Sequence, residues 1–252
     1  MAKVITITLR KGGSGKTTTA VNLASSLAKH GKKVLLIDLD PQANATASLG
    51  MNDAELPNIA EVLAGSKNIG QAVSKGPAFD IIASNAVLSQ IEATMASNPT
   101  TYGQLIKSHI EPIKPHYDYI LIDTPPSESM LTISALVASD YVLIPTQAHY
   151  LAMKGLQQAL ELITRVKDTH GATVEVLGIV PTMVQSNTNM AELFLQQVES
   201  DYGKLLLPYP VPHTIKITES QLAGEPITDY EPDHPASLAY LQLANYINEV
   251  TK

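Results

Sequence analysis

The fold is decided by the stretch Lys11-Gly12-Gly13-Ser14-Gly15-Lys16-Thr17-Thr18. An apolar alternating run at residues 4–9 precedes it, and residues 20–28 carry apolar side chains at helical spacing. These flanks predict a strand, a glycine-rich turn and a helix. Such a turn binds phosphate, because glycines let the backbone come close and successive N–H groups and the helix dipole face the anion. Residues 11–18 therefore predict a site for the phosphates of a nucleotide.

The loop departs from the general phosphate-loop pattern at its front. That pattern is a glycine, four residues and then Gly-Lys-Ser/Thr, but Arg10 stands where the first glycine is expected. Lys11 adds a second lysine inside the loop. The two lysines, the threonine pair and the strand–loop–helix context favour nucleotide binding over the alternative, an ordinary tight turn.

Two predicted strands end in acidic residues. The apolar run at residues 34–37 is typical of a parallel strand buried on both faces, and it ends in Asp38-Leu39-Asp40-Pro41-Gln42. A second run, at residues 117–122, ends in Asp123. Open parallel sheets bind ligands at the carboxyl ends of their strands, and carboxylates beside phosphates hold Mg²⁺ or act on a water. We expect both functions here; the alternative is that Asp38 and Asp40 only cap and form a turn.

Strands and helices are predicted to alternate along the chain, which indicates an α/β fold with a mostly parallel β-sheet flanked by helices on both faces. No repeat or low-complexity linker divides the sequence, so we expect a single P-loop ATPase domain over residues 1–252. Further strands are predicted near residues 79–84, 140–145, 174–180 and 205–212. Helices are predicted near residues 58–65, 88–113 (one or two, with a break at Asn98-Pro99), 131–138, 151–166, 190–200 and 238–250. Residues 44–50 are predicted to form a mobile loop or a short helix.

The composition excludes several kinds of site. The chain has no cysteine, so disulfides, thiolate metal sites and iron–sulfur clusters are excluded. The seven histidines show no metal-ligand spacing. No apolar run approaches the roughly 20 residues of a membrane span, and the N-terminus shows no signal-peptide pattern. We therefore expect a cytoplasmic protein.

The charge of the chain bears on nucleic-acid binding. The net charge of −7 is not typical of a protein that binds DNA. Only two of the seventeen basic residues are arginines, Arg10 and Arg165. A surface that contacts DNA phosphates would therefore consist mainly of lysines, gathered locally against an acidic average.

Three motifs together resemble the signature elements of the ParA/Soj partition ATPases. They are the loop at residues 11–18, Asp38-Leu39-Asp40-Pro41-Gln42 and Ile122-Asp123-Thr124-Pro125-Pro126. This family belongs to the deviant Walker A group of P-loop NTPases, which also contains MinD. The resemblance covers nearly the whole chain, including residues 224–230, and indicates the short form without an N-terminal helix-turn-helix extension.

The resemblance implies a role for each residue of the site. Lys16 would bind the β- and γ-phosphates of ATP, and the Thr17 hydroxyl would bind Mg²⁺. Asp38 and Asp123 would support the water shell of the metal. Asp40 would orient or activate the attacking water. Lys11 would reach the nucleotide of a partner subunit, much as an arginine finger does. The nucleotide-binding set would be Lys11, Gly12, Gly13, Ser14, Gly15, Lys16, Thr17 and Thr18.

The resemblance also implies partners. Proteins of this family dimerise with ATP, bind nucleoid DNA non-specifically, and hydrolyse ATP slowly until a cargo-bound adaptor of ParB type stimulates them. The cargo is a plasmid, a chromosome origin or a protein assembly such as a carboxysome. We therefore expect ATP or ADP and Mg²⁺ as cofactors, an ATP-dependent homodimer, and double-stranded DNA and an adaptor as partners. The expected location is the nucleoid in the cytoplasm, with no membrane contact.

The sequence departs from the family pattern at the loop and in the C-terminal half. Leu9, Arg10 and Ser14 stand where the family commonly has Asn, Gln and Val, and no phosphate ligand is lost. The arginines that often contact DNA in the family are absent near residues 187–190 and 214–219. The remaining candidates for that contact are Lys154, Lys167, Lys204, His213 and Lys216. These lysines either neutralise DNA phosphates as point charges or form an ordinary solvated face.

Three alternatives remain open. A MinD-like membrane-associated positioning ATPase requires a basic amphipathic C-terminal helix, whereas this chain ends in a helix with one terminal lysine, Lys252. A small-molecule enzyme or metal-delivery ATPase on the same fold is the second; the absence of cysteine excludes the nitrogenase iron protein and argues against arsenical-pump relatives. The third is a nucleotide-gated protein that scarcely hydrolyses ATP, and the presence of Asp40 and Lys11 argues against it.

Overall fold

The structure is a computed structural model that describes residues 1–52, 54–95, 97, 103–149, 152–185 and 189–252. The predicted break at Asn98-Pro99 and the predicted helix start at residue 151 lie outside the described residues. None of the helices in the described ranges is long and apolar enough to cross a membrane.

A seven-stranded sheet forms the centre of the described fold. Its strands are β1 (Lys3–Ile7), β2 (Val34–Asp38), β3 (Ser74–Lys75), β4 (Asp80–Ile82), β5 (Tyr119–Asp123), β6 (Tyr141–Gln147) and β7 (Glu175–Thr182). They are ordered β3-β4-β2-β5-β1-β6-β7, and β3 alone pairs antiparallel, at one edge. The predicted parallel α/β sheet is thus confirmed, whereas β3 is an element that the sequence pattern does not predict.

Helices cover both faces of the sheet. They are α1 (Lys16–Lys29), α2 (Asn44–Ala47), α3 (Ile59–Leu63), α4 (Leu88–Met95), α5 (Leu105–Ile110), α6 (Met130–Ala138), α7 (Ala152–His170), α8 (Asn189–Tyr202), α9 (Lys216–Ala223), α10 (Ile227–Tyr230) and α11 (Pro235–Val250). Short 3-10 helices lie at Ile69–Ala72, Glu111–His116 and Gly203–Leu205. Ile5 and Ile7 of β1 face the core formed with α1 and α11, and Val4 faces the core formed with α3 to α6. Side chains alternate along a strand in this way, so one strand contributes to two cores.

The segment around α10 is bonded to α1. The Asn22 side-chain oxygen accepts a hydrogen bond from the backbone N–H of Ile227 at 2.8 Å. The hydroxyls of Ser25 and Thr228 lie 2.7 Å apart in the buried contact between the two helices. The C-terminal motif at residues 224–230 therefore holds α9 and α10 beside the helix that follows the phosphate loop.

Residues 205–212 do not form the strand that the sequence predicts. Isolated bridges to β7 and to the residues after it take the place of a continuous ladder. Pro208, Pro210 and Pro212 explain the difference, because a proline has no N–H to donate to a neighbouring strand. The chain then forms α9 and α10, which the sequence pattern does not predict.

Gly224 packs directly against the turn that follows α2. Its φ is 75°, and a Cβ at this position would lie 3.0 Å from the Gly50 Cα. We expect Gly224→Ala to lower the free energy of unfolding by about 2–4 kcal/mol, because the left-handed backbone and the close contact both oppose a methyl group. Denaturant unfolding of the nucleotide-free protein measures this change.

Gly65 supplies the matched control. Its φ is also 75°, but no heavy atom of the described residues lies within 4 Å of the position of its Cβ. Gly65→Ala should therefore lower the free energy of unfolding by only about 1–2 kcal/mol, through the backbone conformation alone. Equal losses in the two variants would contradict the importance of the contact between Gly224 and Gly50.

Candidate nucleotide-binding site

The loop at residues 11–18 joins β1 to α1 and is shaped by its glycines. Gly13 and Gly15 have φ values of 67° and 85°, in the left-handed region that favours glycine. In the described structure, α1 begins at Lys16 without a side-chain cap and with no acidic residue in its first turn. Its first N–H groups and the positive end of its dipole are therefore available to an anion.

Thr182, the last residue of β7, forms a hydrogen bond with this loop. Its hydroxyl donates a hydrogen bond to the Ser14 carbonyl at 2.8 Å. The Ser14 hydroxyl oxygen is itself buried and has no hydrogen-bond partner among the described residues. Because buried polar groups are normally paired, this orphaned hydroxyl is consistent with a polar ligand seated on the loop.

Lys16 places a buried cation at the front of α1. The residue is 7% exposed, and its Nζ donates to the Lys11 carbonyl at 3.3 Å across the loop. Burial lowers the pKa of Lys16, and the nearby carboxylates of Asp123 and Asp40 act in the opposite direction. The loop thus fixes its lysine between a backbone oxygen and two acidic side chains.

Asp38 and Asp123 end the neighbouring strands β2 and β5 in register. Both are fully buried. Burial raises the pKa of Asp123, and the Asp38 carboxylate beside it raises that pKa further. The Thr17 hydroxyl donates to Asp123 Oδ2 at 2.7 Å, whereas Oδ1 has no hydrogen-bond partner within the described residues. An orphaned carboxylate oxygen beside a threonine hydroxyl fits a cation.

Asp38 also holds the segment that contains α2. Its Oδ2 accepts hydrogen bonds from the backbone N–H and the hydroxyl of Thr46 at 2.9 and 2.8 Å. Its Oδ1 accepts a hydrogen bond from the Asp40 N–H at 3.2 Å. Burial raises the pKa of Asp38 to about 6, and the bonds from Thr46 oppose the shift. Asp38 therefore positions the backbone of Asp40, besides the role at the metal that is predicted for it.

The three predicted metal residues offer a partial ligand set. In the described part of the chain, no group of three or more His, Cys, Asp or Glu side chains can hold a metal by itself. Thr17, Asp38 and Asp123 instead contribute one hydroxyl and two carboxylates next to the phosphate loop. Mg²⁺ suits such a site, because it keeps several waters and combines one or two carboxylates with the phosphates of a substrate.

Asp40 and Lys11 lie differently with respect to the cleft in front of the loop. Asp40 lines the cleft, is 6% exposed and accepts a hydrogen bond from the Gln42 N–H at 3.0 Å. Lys11 is not among the residues that line the cleft in the described subunit, and its Nζ donates to Gln147 Oε1 at 3.4 Å. The structure therefore brings Asp40, but not the Lys11 ammonium, to the cleft of the same subunit.

The cleft has a volume of about 540 Å³. One wall is the phosphate loop with Asp40, and another is α9, which contributes Gln221 and the highly exposed Leu222. A second cavity of about 210 Å³ shares Gln221 and Met183 with the cleft and is also lined by Tyr240. The two spaces are neighbours, because they share part of their lining.

Several residues of the site carry no motif in the sequence. Thr46, Thr182 and Gln147 hold Asp38, the loop backbone and Lys11, respectively. Gln147 and Thr182 end β6 and β7, so the rule that ligands bind at the carboxyl ends of strands could have found them. Helix α9 has no comparable signal, because its residues reach the cleft only through the folded C-terminal segment.

Comparisons with known proteins agree with this geometry. A family model described as an AAA domain matches residues 2–176. The chain is 34% identical to the sporulation initiation inhibitor protein Soj of Bacillus subtilis, over 98% of each chain. It is also 34% identical to the chromosome partitioning protein ParA of Caulobacter vibrioides, over 97% of this chain and 93% of the relative. The chain belongs to the ParA/Soj family of ATPases.

A solved structure supports the same fold for this ParA/Soj-family protein. Cobyrinic acid a,c-diamide synthase of Mycobacterium smegmatis, with bound ADP and magnesium, superposes with a TM-score of 0.84 at 29% identity. The match covers 97% of this chain and 93% of the synthase chain. The family resemblance predicted from three short motifs is thus confirmed, and so is the P-loop fold with its mostly parallel sheet.

Proposed function

We propose that this ParA/Soj-family protein is a dimerising ATPase that slowly converts ATP and water to ADP and phosphate and so positions a cargo. The observation that carries the proposal is the cleft lined by Lys16, Thr17 and Asp40 at the start of α1, with the buried Asp123 bonded to Thr17 directly behind it. Phosphoryl transfer requires this combination of a cation, free N–H groups, a metal-binding edge and a group that orients water.

The predicted site residues each have a proposed part in the reaction. The loop N–H groups and Lys16 bind the phosphates, and Thr17 with Asp123 and Asp38 hold Mg²⁺. Mg²⁺ held by these residues would supply positive charge for phosphoryl transfer. Asp40 orients the attacking water or accepts its proton, because its carboxylate lines the cleft whereas Asp38 and Asp123 are fully buried.

The smaller cavity is the proposed site of the adenine base. Pro212, Ile217 and Tyr240 give it apolar lining, and Thr18 and Gln221 line both this cavity and the cleft. A nucleotide would then run from base to γ-phosphate across the start of α1. This arrangement supports ATP or ADP, with Mg²⁺, as the cofactors of the site.

Lys11 is proposed to act on the nucleotide of a partner subunit. Its contact with Gln147, outside the cleft of its own subunit, supports this proposal. ATP would bring two subunits together face to face, and hydrolysis would let them separate. The single domain over residues 1–252 would then act as a switch between an ATP-bound dimer and a monomer.

The relatives support a role in partitioning, since one of them is a chromosome partitioning protein. We propose that the ATP-bound dimer binds double-stranded DNA non-specifically and associates with the nucleoid. An adaptor of ParB type, or its equivalent, would stimulate hydrolysis and connect the protein to its cargo. The cargo would be a plasmid, a chromosome origin or a protein assembly.

Three of the candidate lysines have charges available for DNA. Lys216 Nζ donates to Glu219 at 2.9 Å and lies 3.2 Å from Glu231, so its charge is already paired. Lys154, Lys167 and Lys204 are exposed. The proposed DNA contact therefore rests on these three lysines.

Binding to random-sequence duplex DNA tests this contact. We expect binding only with ATP, and log Kobs should fall linearly with log salt concentration. Replacing Lys154, Lys167 and Lys204 together by Gln should weaken binding and reduce the salt slope of the dimer by up to about six, three for each subunit. Lys75→Gln is the matched control, because Lys75 is exposed but pairs with Asp80 on the opposite edge of the sheet. An ATP-bound dimer that binds no DNA would overturn this part of the proposal.

The position of α11 argues against the MinD-like alternative. This helix contains no lysine or arginine, and its apolar residues Tyr240, Leu243 and Ile247 are buried in the core. A helix that binds a membrane surface needs a basic polar face and a free apolar face. We therefore expect no sedimentation with liposomes in any nucleotide state.

A small-molecule enzyme on the same fold is the second candidate function. The likeness to cobyrinic acid a,c-diamide synthase favours it, since that protein has the same architecture and binds ADP and magnesium. ATP turnover that depends on a carboxylic acid substrate and a nitrogen donor, and not on DNA or a protein partner, would support this candidate over cargo positioning.

A further inference from the structure

The two arginines of the chain meet at one carboxylate. Arg165 Nη2 lies 2.7 Å from Glu128 Oε2, and Arg10 Nη1 lies 3.5 Å from Glu128 Oε1. The sequence contains no other arginine, so all of its guanidinium groups are concentrated at Glu128. Each carboxylate oxygen faces a different arginine, and Glu128 therefore bridges two segments that are distant in the sequence.

Glu128 connects the nucleotide cleft with α7. It lies two residues after Pro126, which lines the cleft. Its partner Arg165 is on α7, and Gly155 of the same helix packs close to Lys11. A Cβ on Gly155 would lie 3.9 Å from the Lys11 Cβ. Through Arg165, Glu128 therefore contacts the helix whose Gly155 lies beside Lys11.

Arg10 gives Glu128 a second connection to Lys11. Arg10 directly precedes Lys11, so the ion pair restrains the backbone from which the Lys11 side chain extends. The ion pair with Glu128 also engages the Arg10 guanidinium, which is next to the phosphate-binding loop. An unpaired Arg10 would compete with Lys11 for the phosphate oxygens, because guanidinium groups bind phosphate readily.

We propose that Glu128 is a positioning residue for Lys11. By binding Arg10 and Arg165 together, it sets the backbone before Lys11 and the surface of α7 beside it, and keeps the Arg10 cation away from the phosphates. The inference rests on the proposed function, in which Lys11 acts on nucleotide phosphates. It extends that function, because Glu128 does not line the cleft and acts through Arg10 and Arg165.

An ordinary surface ion pair is the competing explanation. The side chains of Arg10, Arg165 and Glu128 are 53%, 56% and 29% exposed. Exposed pairs of this kind contribute only about 0–1 kcal/mol to folding. Stability alone therefore does not distinguish the two explanations. The test must measure the rate of ATP hydrolysis and the hydrogen exchange of the loop.

The first experiment measures ATP hydrolysis by Glu128→Gln, which keeps the shape of the side chain and removes its charge. We expect kcat to fall about tenfold and KM for ATP to change less than about twofold, because ground-state binding by Lys16 is untouched. Glu128→Asp should recover part of the rate. Arg10→Gln combined with Glu128→Gln should lower kcat no further than the stronger single variant, since the two residues act as one unit.

Glu111→Gln is the matched control. Glu111, whose side chain is 57% exposed, pairs at 3.1 Å with the largely buried Lys114 in the 3-10 helix before β5, and neither residue lines the cleft. It should hydrolyse ATP at the wild-type rate, and both Glu→Gln variants should melt within about 2 °C of wild type. An unchanged kcat in Glu128→Gln, or fully additive effects in the double variant, would overturn the proposal.

Hydrogen exchange of the nucleotide-free protein provides a readout that needs no hydrolysis. The segment around Arg10 and Lys11 should exchange faster in Glu128→Gln than in wild type, and Glu111→Gln should not change it. Unchanged exchange in Glu128→Gln would overturn the positioning role. If the wild-type protein does not hydrolyse ATP, the proposed function fails by itself, and the exchange result still decides whether Glu128 orders the loop.

Discussion

Asp40→Asn should leave ATP binding intact and lower the rate of ATP hydrolysis at least about a hundredfold. The Asp40 Oδ1 accepts a hydrogen bond from the Gln42 N–H at 3.0 Å, and the asparagine oxygen can accept the same bond. The loop should therefore keep its shape, while the group that orients water or accepts its proton is lost. Equilibrium binding of ATP and the rate of phosphate release measure the two effects separately.

The ATP-bound dimer should accumulate in this variant. Because hydrolysis is what separates the subunits in the proposed cycle, light scattering should report a dimer that persists in ATP. Asp201→Asn is a control on the exposed surface of α8, where the Asp201 carboxylate accepts hydrogen bonds from Gln197. Hydrolysis at the wild-type rate would show that Asp40 does not act on the water. Loss of ATP binding would show that Asp40 holds the nucleotide or its loop instead.

The acidic end of the site could be predicted from the sequence because it depends on strand ends. β2 and β5 are near-continuous apolar runs that each end in an aspartate, and parallel neighbours present their carboxyl ends at one edge. The structure pairs Asp38 with Asp123 in register, as this reasoning requires. The phosphate loop is equally local, since its glycines and the start of α1 lie within a few residues.

The wall formed by α9 could not be predicted in the same way. It is held in place by contacts between distant segments, such as the hydrogen bond from the Ile227 N–H to Asn22, 205 residues earlier. The contact between Gly224 and Gly50 is of the same kind. Neither leaves a periodic pattern in the sequence. The apolar residues at 205–207 and 211 resemble a strand, although the prolines among them prevent one.

The restraints on Asp38 and Lys11, two of the predicted site residues, could not be predicted from the sequence. Thr46 holds Asp38, and Gln147 holds Lys11. A threonine or glutamine at such a position is common in any loop or strand end, so its chemistry is visible only when the partner is known. The sequence thus predicts which residues can react, and the structure adds the hydrogen bonds that orient them.

Asp123→Asn should make the nucleotide-free protein more stable while it weakens the response to Mg²⁺ and ATP. Asp123 Oδ2 accepts the Thr17 hydroxyl, and Oδ1 has no hydrogen-bond partner in the described residues. The asparagine oxygen can keep the bond to Thr17. Burial and the Asp38 carboxylate raise the pKa of Asp123 to about 8 and outweigh the Thr17 hydrogen bond and the Lys16 cation. A carboxyl group whose pKa is raised by folding lowers the stability of the folded state at neutral pH, and asparagine removes this cost. Tm should therefore rise, by about 2–4 °C for each kcal/mol gained.

Asp38→Asn is the matched variant and should change stability in the opposite direction. Asp38 uses both oxygens as acceptors, one for the two donors of Thr46 and one for the Asp40 N–H. An asparagine N–H would face one of these donors, and a lost buried hydrogen bond costs about 1–3 kcal/mol. Tm without nucleotide should therefore be lower than in wild type.

Thermal unfolding with and without Mg²⁺ and ATP compares the two variants directly. Wild type should gain stability from the ligands, because they bind only the folded state. Both variants should gain less, since each removes a carboxylate from the metal-binding edge. A lower Tm for Asp123→Asn than for Asp38→Asn in the absence of ligand would contradict the hydrogen bonding described here. Replacing Asp by Asn at these two positions thus distinguishes Asp123, which has an oxygen without a hydrogen-bond partner in the described residues, from Asp38, whose two oxygens both accept hydrogen bonds from the protein.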